Sequence, residues 1–163
     1  MRLNALLAAA LIVGTACTSV NAATDTVTVN VSGTLTRPPC TLTSSKTLTV
    51  NFGTMRADQI TAAPMVDIPV TLTCPANSAL SISVKASSVF QGSTTQASAG
   101  KANLAYLMYW KGNNSAVNVT GEKRSLTNQS GTVDLSMKAK LTALGTVSEG
   151  AFSASSVISI EYL

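Results

Sequence analysis

Residues 149–163 of the chain read EGAFSASSVISIEYL, and this stretch decides which fold the sequence predicts. Its side chains alternate, so that one face collects Phe152, Ala154, Ser156, Ile158, Ile160 and Tyr162. Alternation with a period of two predicts a β-strand. No turn and no returning strand follow it, although a strand with an apolar face normally lies inside a sheet, because an open edge invites pairing with other chains. We therefore expect a sheet that is one strand short.

The same period of two recurs along the rest of the chain. Further strands are predicted at 48–52, 66–74, 80–86, 103–110 and 133–141. The stretch SSVFQGSTTQASAGKAN, which begins at Ser87, is rich in Ser, Thr, Gly and Ala and is typical of a loop. Short strands separated by turn signals predict an all-β protein, an antiparallel sandwich of the immunoglobulin type.

The N-terminus is typical of an export signal. Arg2 is followed by an apolar run from Ala5 to Ala16 and by the small-residue site Val20-Asn21-Ala22, which predicts a signal peptide over residues 1–22. The run is shorter than the roughly 20 residues that a transmembrane helix needs, so no membrane insertion is expected. A lipoprotein anchored at Cys17 is the alternative, although Gly14-Thr15-Ala16 is a poor approach to a lipidated cysteine.

Removal of the signal peptide leaves Cys40 and Cys74 as the two cysteines of the mature chain. Two thiols in an exported protein are expected to pair. In the chain-entropy model, closing a loop of about 35 residues stabilises the folded state by roughly 4 kcal/mol. The sequence therefore predicts one disulfide.

An alternating segment also precedes the first of these cysteines. Val27, Val29, Val31, Gly33 and Leu35 share one parity, with Thr and Asn residues between them. Pro38-Pro39 follows, and because proline cannot donate to a strand ladder, the segment is set apart from the strands after it. The alternative is that the segment is the first strand of its own sheet and pairs with the closing strand of the same chain.

Composition argues against catalysis and against nucleic-acid binding. The chain contains no histidine, so no Ser/His or Cys/His pair and no histidine metal site can form, and we expect neither an enzyme nor a cofactor. The net charge is +4, but the basic residues are scattered and aromatic residues make up 4% of the chain. A nucleic-acid groove would need clustered basic residues interleaved with aromatic ones.

Both ends of the mature chain and its two cysteines resemble those of a known family. The stretch VTVNVSGTLTRPPCTL, the following VNFG, the two cysteines and the closing SVISIEYL resemble a pilin subunit of the chaperone-usher pathway. The most specific features are Gly150 and the penultimate Tyr162, which match the family's C-terminal motif in position and in type. The resemblance covers essentially the whole mature chain.

The resemblance implies an incomplete immunoglobulin-like sandwich of six strands that lacks its seventh strand. Residues 37–163 would form this domain, and residues 23–36 an N-terminal donor strand that enters the groove of a neighbouring pilin subunit. Val27, Val29, Val31, Gly33 and Leu35 would be the inserted side chains. The groove of the receiving subunit would be lined by Gly150, Phe152, Ala154, Ile158, Ile160 and Tyr162.

The family's partners are a periplasmic chaperone, which would lend a strand to the groove before assembly, and an outer-membrane usher. The resemblance thus implies export through the periplasm to a fimbria on the cell surface, in support of cell adhesion. The RPPC linkage resembles that of minor adaptor pilins, so a minor structural role is predicted. The alternative from another class is a self-complete secreted sandwich that binds a ligand, as lectins and receptors do.

Overall fold

The computed structural model describes residues 25–36 and 38–163. The predicted signal peptide, residues 1–22, lies outside the described residues. The chain divides into two units, Met1–Leu35 and Thr36–Leu163. In the described part of the first unit, residues 25–35 form neither a helix nor a strand, and their side chains are exposed.

The second unit is built almost wholly of antiparallel strands, with one short 3-10 helix at Ala57–Ala62. The strands are β1 (Thr41–Leu42), β2 (Val66–Ile68), β3 (Thr71–Ala86), β4 (Gln96–Lys101), β5 (Leu104–Trp110), β6 (Thr120–Asp134), β7 (Met137–Ala143) and β8 (Ser156–Tyr162). Among the described residues, no helix is long and apolar enough to cross a membrane.

The first sheet is organised around β3, which is 16 residues long. One edge of β3 pairs with β6, from Thr71 opposite Asp134 to Lys85 opposite Thr120. The other edge pairs first with β1 and then with β8, whose register places Ile82 opposite Ile160. Within the described chain β8 pairs with β3 alone, so its outer edge carries no neighbouring strand.

The second sheet has the order β2-β7-β5-β4. The break between β2 and β3 falls at Pro69 and Val70, because proline has no N–H to donate to a ladder. The predicted strand at 66–74 is therefore divided between the two sheets. This division lets the chain pass from one layer to the other.

The core lies between the sheets and is formed by inward-facing residues of both. Its largest fully buried side chains are Leu72, Leu80, Ile82, Val84, Leu104, Val117, Val119, Met137 and Leu141. The bond between Cys40 and Cys74 joins the residue before β1 to β3, and both cysteines are buried. The predicted antiparallel sandwich and its disulfide are confirmed.

Several predicted boundaries were wrong. Residues 48–52 form no strand, because no neighbouring segment in the described chain supplies ladder hydrogen bonds to them. The stretch interpreted as a loop contains β4, whose small residues Ala97 and Ala99 are buried. The strand predicted at 133–141 spans the end of β6 and most of β7, and the first part of β6 was not predicted. Strand 80–86 is the second half of the longer β3.

Candidate groove beside the last strand

An open groove of about 690 Å³ runs along β8 within the second unit. One wall is formed by β8 and the residues just before it, and the opposite wall by residues 42–52. The floor consists of buried apolar side chains, five from the second sheet and one from the break between β2 and β3: Ile68, Ala99, Met108, Ala139, Leu141 and Val70. Lys46 is the one charged residue among the described residues that line it. The groove is therefore suited to apolar side chains.

The first wall contains most of the side chains that the sequence assigned to the site. Phe152, Ala154, Ile158 and Ile160 all line the groove, whereas Gly150 and Tyr162 do not. Ile158 and Ile160 are half-buried, whereas Ser159 and Glu161, which alternate with them, are exposed. The structure thus brings four of the six predicted residues together.

The opposite wall belongs to the segment that lacks a strand partner. Leu48, Val50 and Phe52 are half-buried and alternate with exposed neighbours, as in a strand. The alternation was predicted, but the sequence did not assign these residues to the site. Because neither this segment nor the outer edge of β8 has a ladder partner among the described residues, the groove is bordered by backbone on both sides that an extended segment could pair with.

The segment that leads into β8 is anchored by side chains of the second sheet. We call residues 144–155, which join β7 to β8, the connector. The Lys101 ammonium group donates to the backbone oxygens of Ser148, at 3.1 Å, and Glu149, at 2.6 Å. The Tyr106 hydroxyl lies 2.7 Å from Ser156 Oγ and donates to the backbone oxygen of Ser155 at 3.3 Å. These two anchoring residues were not predicted, because nothing in their local sequence marks them.

Gly150 lies in the connector and not in the groove. Its φ is +110°, a conformation that side-chain-bearing residues rarely adopt. A glycine is therefore required where the connector turns toward β8. Gly150 thus shapes the backbone of the connector and does not line the groove, where it was predicted.

The residues predicted to insert into a neighbour lie in the first unit. Val27, Val29, Val31 and Leu35 are exposed by 87%, 77%, 91% and 101% respectively, and Gly33 is exposed as well. Four large apolar side chains in water are unfavourable, at roughly 1.5 to 3 kcal/mol each relative to burial. Binding of this segment to an apolar surface is therefore favoured by the burial of these side chains.

Apart from Lys46, the charged side chains near the site lie outside the groove. The pKa of Glu161 on β8 is lowered, first because its carboxylate accepts a hydrogen bond from Lys123 and also because of that residue's positive charge. The pKa of Asp134 is lowered chiefly by hydrogen bonds from Ser136. In the described part of the chain no group of three or more His, Cys, Asp or Glu side chains could hold a metal ion.

Comparison with known proteins gives one family and several solved structures. A family model described as "Fimbrial protein" matches residues 29–163. The crystal structure of the P pilus rod subunit PapA matches with a TM-score of 0.63 and 21% identity, covering 77% of this chain and 100% of that one. A second match is a chain from the structure of a chaperone-usher pilus that concerns the molecular basis of rod uncoiling. Its TM-score is 0.61 and its identity 20%, and the match covers 90% of this chain and 100% of that one.

A more distant match is the CupB6 tip adhesin from Pseudomonas aeruginosa. Its TM-score is 0.52 and its identity 15%, and the match covers 60% of this chain and 30% of that one. Comparison with curated protein sequences gives no match. The likeness to the rod subunit confirms the predicted immunoglobulin-like pilin fold.

Proposed function

Because the chain belongs to the fimbrial protein family, it is a structural component of surface fimbriae, and we propose that it joins its neighbours by donor-strand exchange. In this proposal, residues 23–36 of one subunit occupy the groove of the next. The observation that carries the proposal is the groove itself, which is apolar, about 690 Å³ in volume and bordered by the unpaired edge of β8. An extended segment that adds a strand to such an edge gains ladder hydrogen bonds and side-chain pockets together.

The N-terminal segment can pair with β8 in an antiparallel register that keeps its apolar side chains on the groove side. If Val29 lies opposite Ile160, the register pairs Val27 with Tyr162, Val31 with Ile158, Gly33 with Ser156 and Leu35 with Ala154. Apart from Tyr162, which does not line the groove, these side chains then lie on the groove side, since both strands alternate with a period of two. A shift by one residue would turn every valine outward.

The sizes of the paired side chains support this register. Gly33 faces Ser156, where the Tyr106 ring and hydroxyl already occupy part of the groove. Leu35 faces Ala154, whose small side chain leaves room for a large one. A residue without a side chain thus faces the crowded position, and a large residue faces a small one. Such size complementarity is expected of facing positions in a sheet.

Burial of the four apolar donor residues stabilises the joint by on the order of 6 to 12 kcal/mol before the cost of ordering the segment. The donating segment and the receiving groove are different surfaces of the subunit. Such a contact is head-to-tail, so it extends into a filament and does not close on itself. A strong non-covalent polymer follows.

The subunit needs a substitute strand until a neighbour is available. We propose that a periplasmic chaperone supplies it along β8 and that an outer-membrane usher then delivers the subunit to the growing fimbria. An exposed groove with an unpaired strand edge is prone to aggregation, which explains why a chaperone would be needed. We further propose a minor or adaptor role, which the RPPC stretch at 37–40 supports. In this role the subunit would be part of a fimbria that supports cell adhesion.

Two deletions test the proposal in cells that carry the matching chaperone and usher. Removal of residues 23–36 should leave a subunit that copurifies with the chaperone but does not donate to a neighbour. Removal of residues 158–163 should abolish copurification. The measurements are chaperone pull-down and electron microscopy of surface fimbriae. If the mature chain instead purifies as a stable, cooperatively folded monomer without any partner, a self-complete sandwich replaces this proposal.

A further inference from the structure

The turn between β4 and β5 holds the connector from one side. Besides its bonds to two backbone oxygens, Lys101 Nζ lies 3.4 Å from the hydroxyl oxygen of Ser148. Asn103 Nδ2 donates to the backbone oxygen of Thr146 at 2.9 Å, and its own backbone oxygen accepts from the N–H of Leu144 at 2.8 Å. The connector is therefore tied along its first half to a single turn.

The same turn also lies against the second half of the connector. A Cβ atom added to Gly100 would lie closer to the backbone oxygen of Ser153 than real Cβ atoms come to other atoms. The glycine has a φ of +82°. The backbone of Gly100 thus contacts the backbone of Ser153 with no side chain between them. This contact fixes the position of Ser153.

The neighbours of Ser153 are the groove residues at the end where β8 begins. Phe152 packs against a second core cluster that contains Ala99, Leu104 and Leu141. Ala154 is exposed at the edge of the groove and makes no core contact of this kind. Its position therefore depends on the backbone of the connector, which the turn holds.

We infer that Lys101 is a positioning residue that fixes this end of the groove and so determines which donor side chain it accepts. This inference rests on the proposed function, in which Leu35 of the neighbouring subunit faces Ala154. Three donors on one ammonium group suit the two carbonyl oxygens and the hydroxyl that converge on it. Without them the connector loses its link to the β4–β5 turn at Ser148 and Glu149.

The test uses the full mature chain refolded together with a fluorescent peptide that has the sequence of residues 25–36, because the proposed function requires a strand in the groove. A second peptide carries Leu35→Ala. The ratio of the two dissociation rates measures how well the end of the groove recognises the leucine. Lys101→Met removes the hydrogen bonds and keeps the length of the side chain, and Lys140→Met on β7 is the matched control. Lys101→Arg restores charge and donors.

We expect Lys101→Met to accelerate dissociation of the native peptide by about tenfold, which corresponds to about 1.4 kcal/mol. The peptide with Leu35→Ala should be affected much less, so the ratio falls toward one. Lys140→Met should change neither rate by more than about twofold. Lys101→Arg should recover most of the discrimination.

The outcomes separate the inference from the function on which it rests. If the unaltered chain does not hold the native peptide at all, donor-strand exchange itself is overturned. If the chain holds the peptide and Lys101→Met leaves the ratio unchanged, only the inference fails. An equal acceleration for both peptides also overturns it, because a general loss of stability does not alter discrimination. If Lys101→Met does not fold, Lys101→Gln, whose amide has no charge and two donors in place of three, supplies the same ratio.

Discussion

The carboxylate of Glu161 on β8 lies 2.7 Å from the ammonium group of Lys123 on β6, and the contact passes over β3. Ser81 of β3 lies beneath it and donates to the same carboxylate oxygen at 3.4 Å. Three neighbouring strands are thus linked on the outer face of the first sheet. Both charged side chains are about half exposed, so water and salt weaken the attraction between them.

Glu161→Gln should lower stability in a pH-dependent manner. Because contact with Lys123 lowers the pKa of Glu161 from its ordinary value of 4.5, the stabilisation is complete above that value and is lost as the pH falls through the lowered pKa. The unaltered chain should therefore have a higher free energy of unfolding than Glu161→Gln at about pH 7, and the two values should be equal at about pH 2. Urea denaturation at each pH measures these free energies. In a Lys123→Met background the same substitution should have little effect at either pH.

Ile160→Asp should prevent the subunit from accepting a donor strand. Ile160 lines the groove, so the change removes apolar burial and desolvates a carboxylate, and peptide affinity should fall by at least about 100-fold. Ser159→Asp is the matched control, since Ser159 is exposed on the opposite face of the same strand. Fluorescence anisotropy with the 25–36 peptide measures both. Equal losses for the two variants would contradict the groove assignment.

Val31→Asp should impair donation and leave acceptance intact. The side chain belongs to the proposed inserted set, whereas Asn30 has the opposite parity, so Asn30→Asp should be tolerated. Native gels of mixed subunits provide the measurement. A subunit with Val31→Asp should receive the segment of an Ile160→Asp subunit and form a dimer that grows no further. Longer polymers from this mixture would refute the head-to-tail scheme.

Loss of the bond between Cys40 and Cys74 should lower the free energy of unfolding by about 4 kcal/mol, because it closes a loop of 34 residues in the unfolded chain. Denaturant curves with and without a reductant give this value. The variant with both cysteines changed to serine should not respond to the reductant. A loss below about 1 kcal/mol would show that the loop contributes little to the unfolded-state entropy.

The features predicted from the sequence were those with a strong local pattern. Ile158 and Ile160 are separated by Ser159 and followed by Glu161, and they do form part of one wall of the groove. The disulfide followed from there being only two cysteines after the signal peptide. In both cases the residue types and their spacing determine the outcome without knowledge of distant neighbours.

Strands whose formation depends on a distant partner gave no such signal. β6 is exposed along most of its length, so its residues show no alternation in polarity, and it is a strand because β3 supplies its hydrogen bonds. β4 contains mainly small residues, whose composition is that of a loop. Lys101 contacts residues 47 and 48 positions further along the chain, a relationship that only the folded topology creates.

The position of β3 has a mechanical consequence for the filament proposed above. A pull on the N-terminal segment reaches the domain at Cys40, where β1 contributes a ladder of only two residues. The disulfide transfers the load covalently to Cys74, and β3 carries it along its axis to the ladder with β8. A pull directed along these strands would load the hydrogen bonds of the seven residue pairs in shear, so that they share it, whereas a perpendicular pull would open them one at a time. A single strand thus forms the tensile element of the subunit.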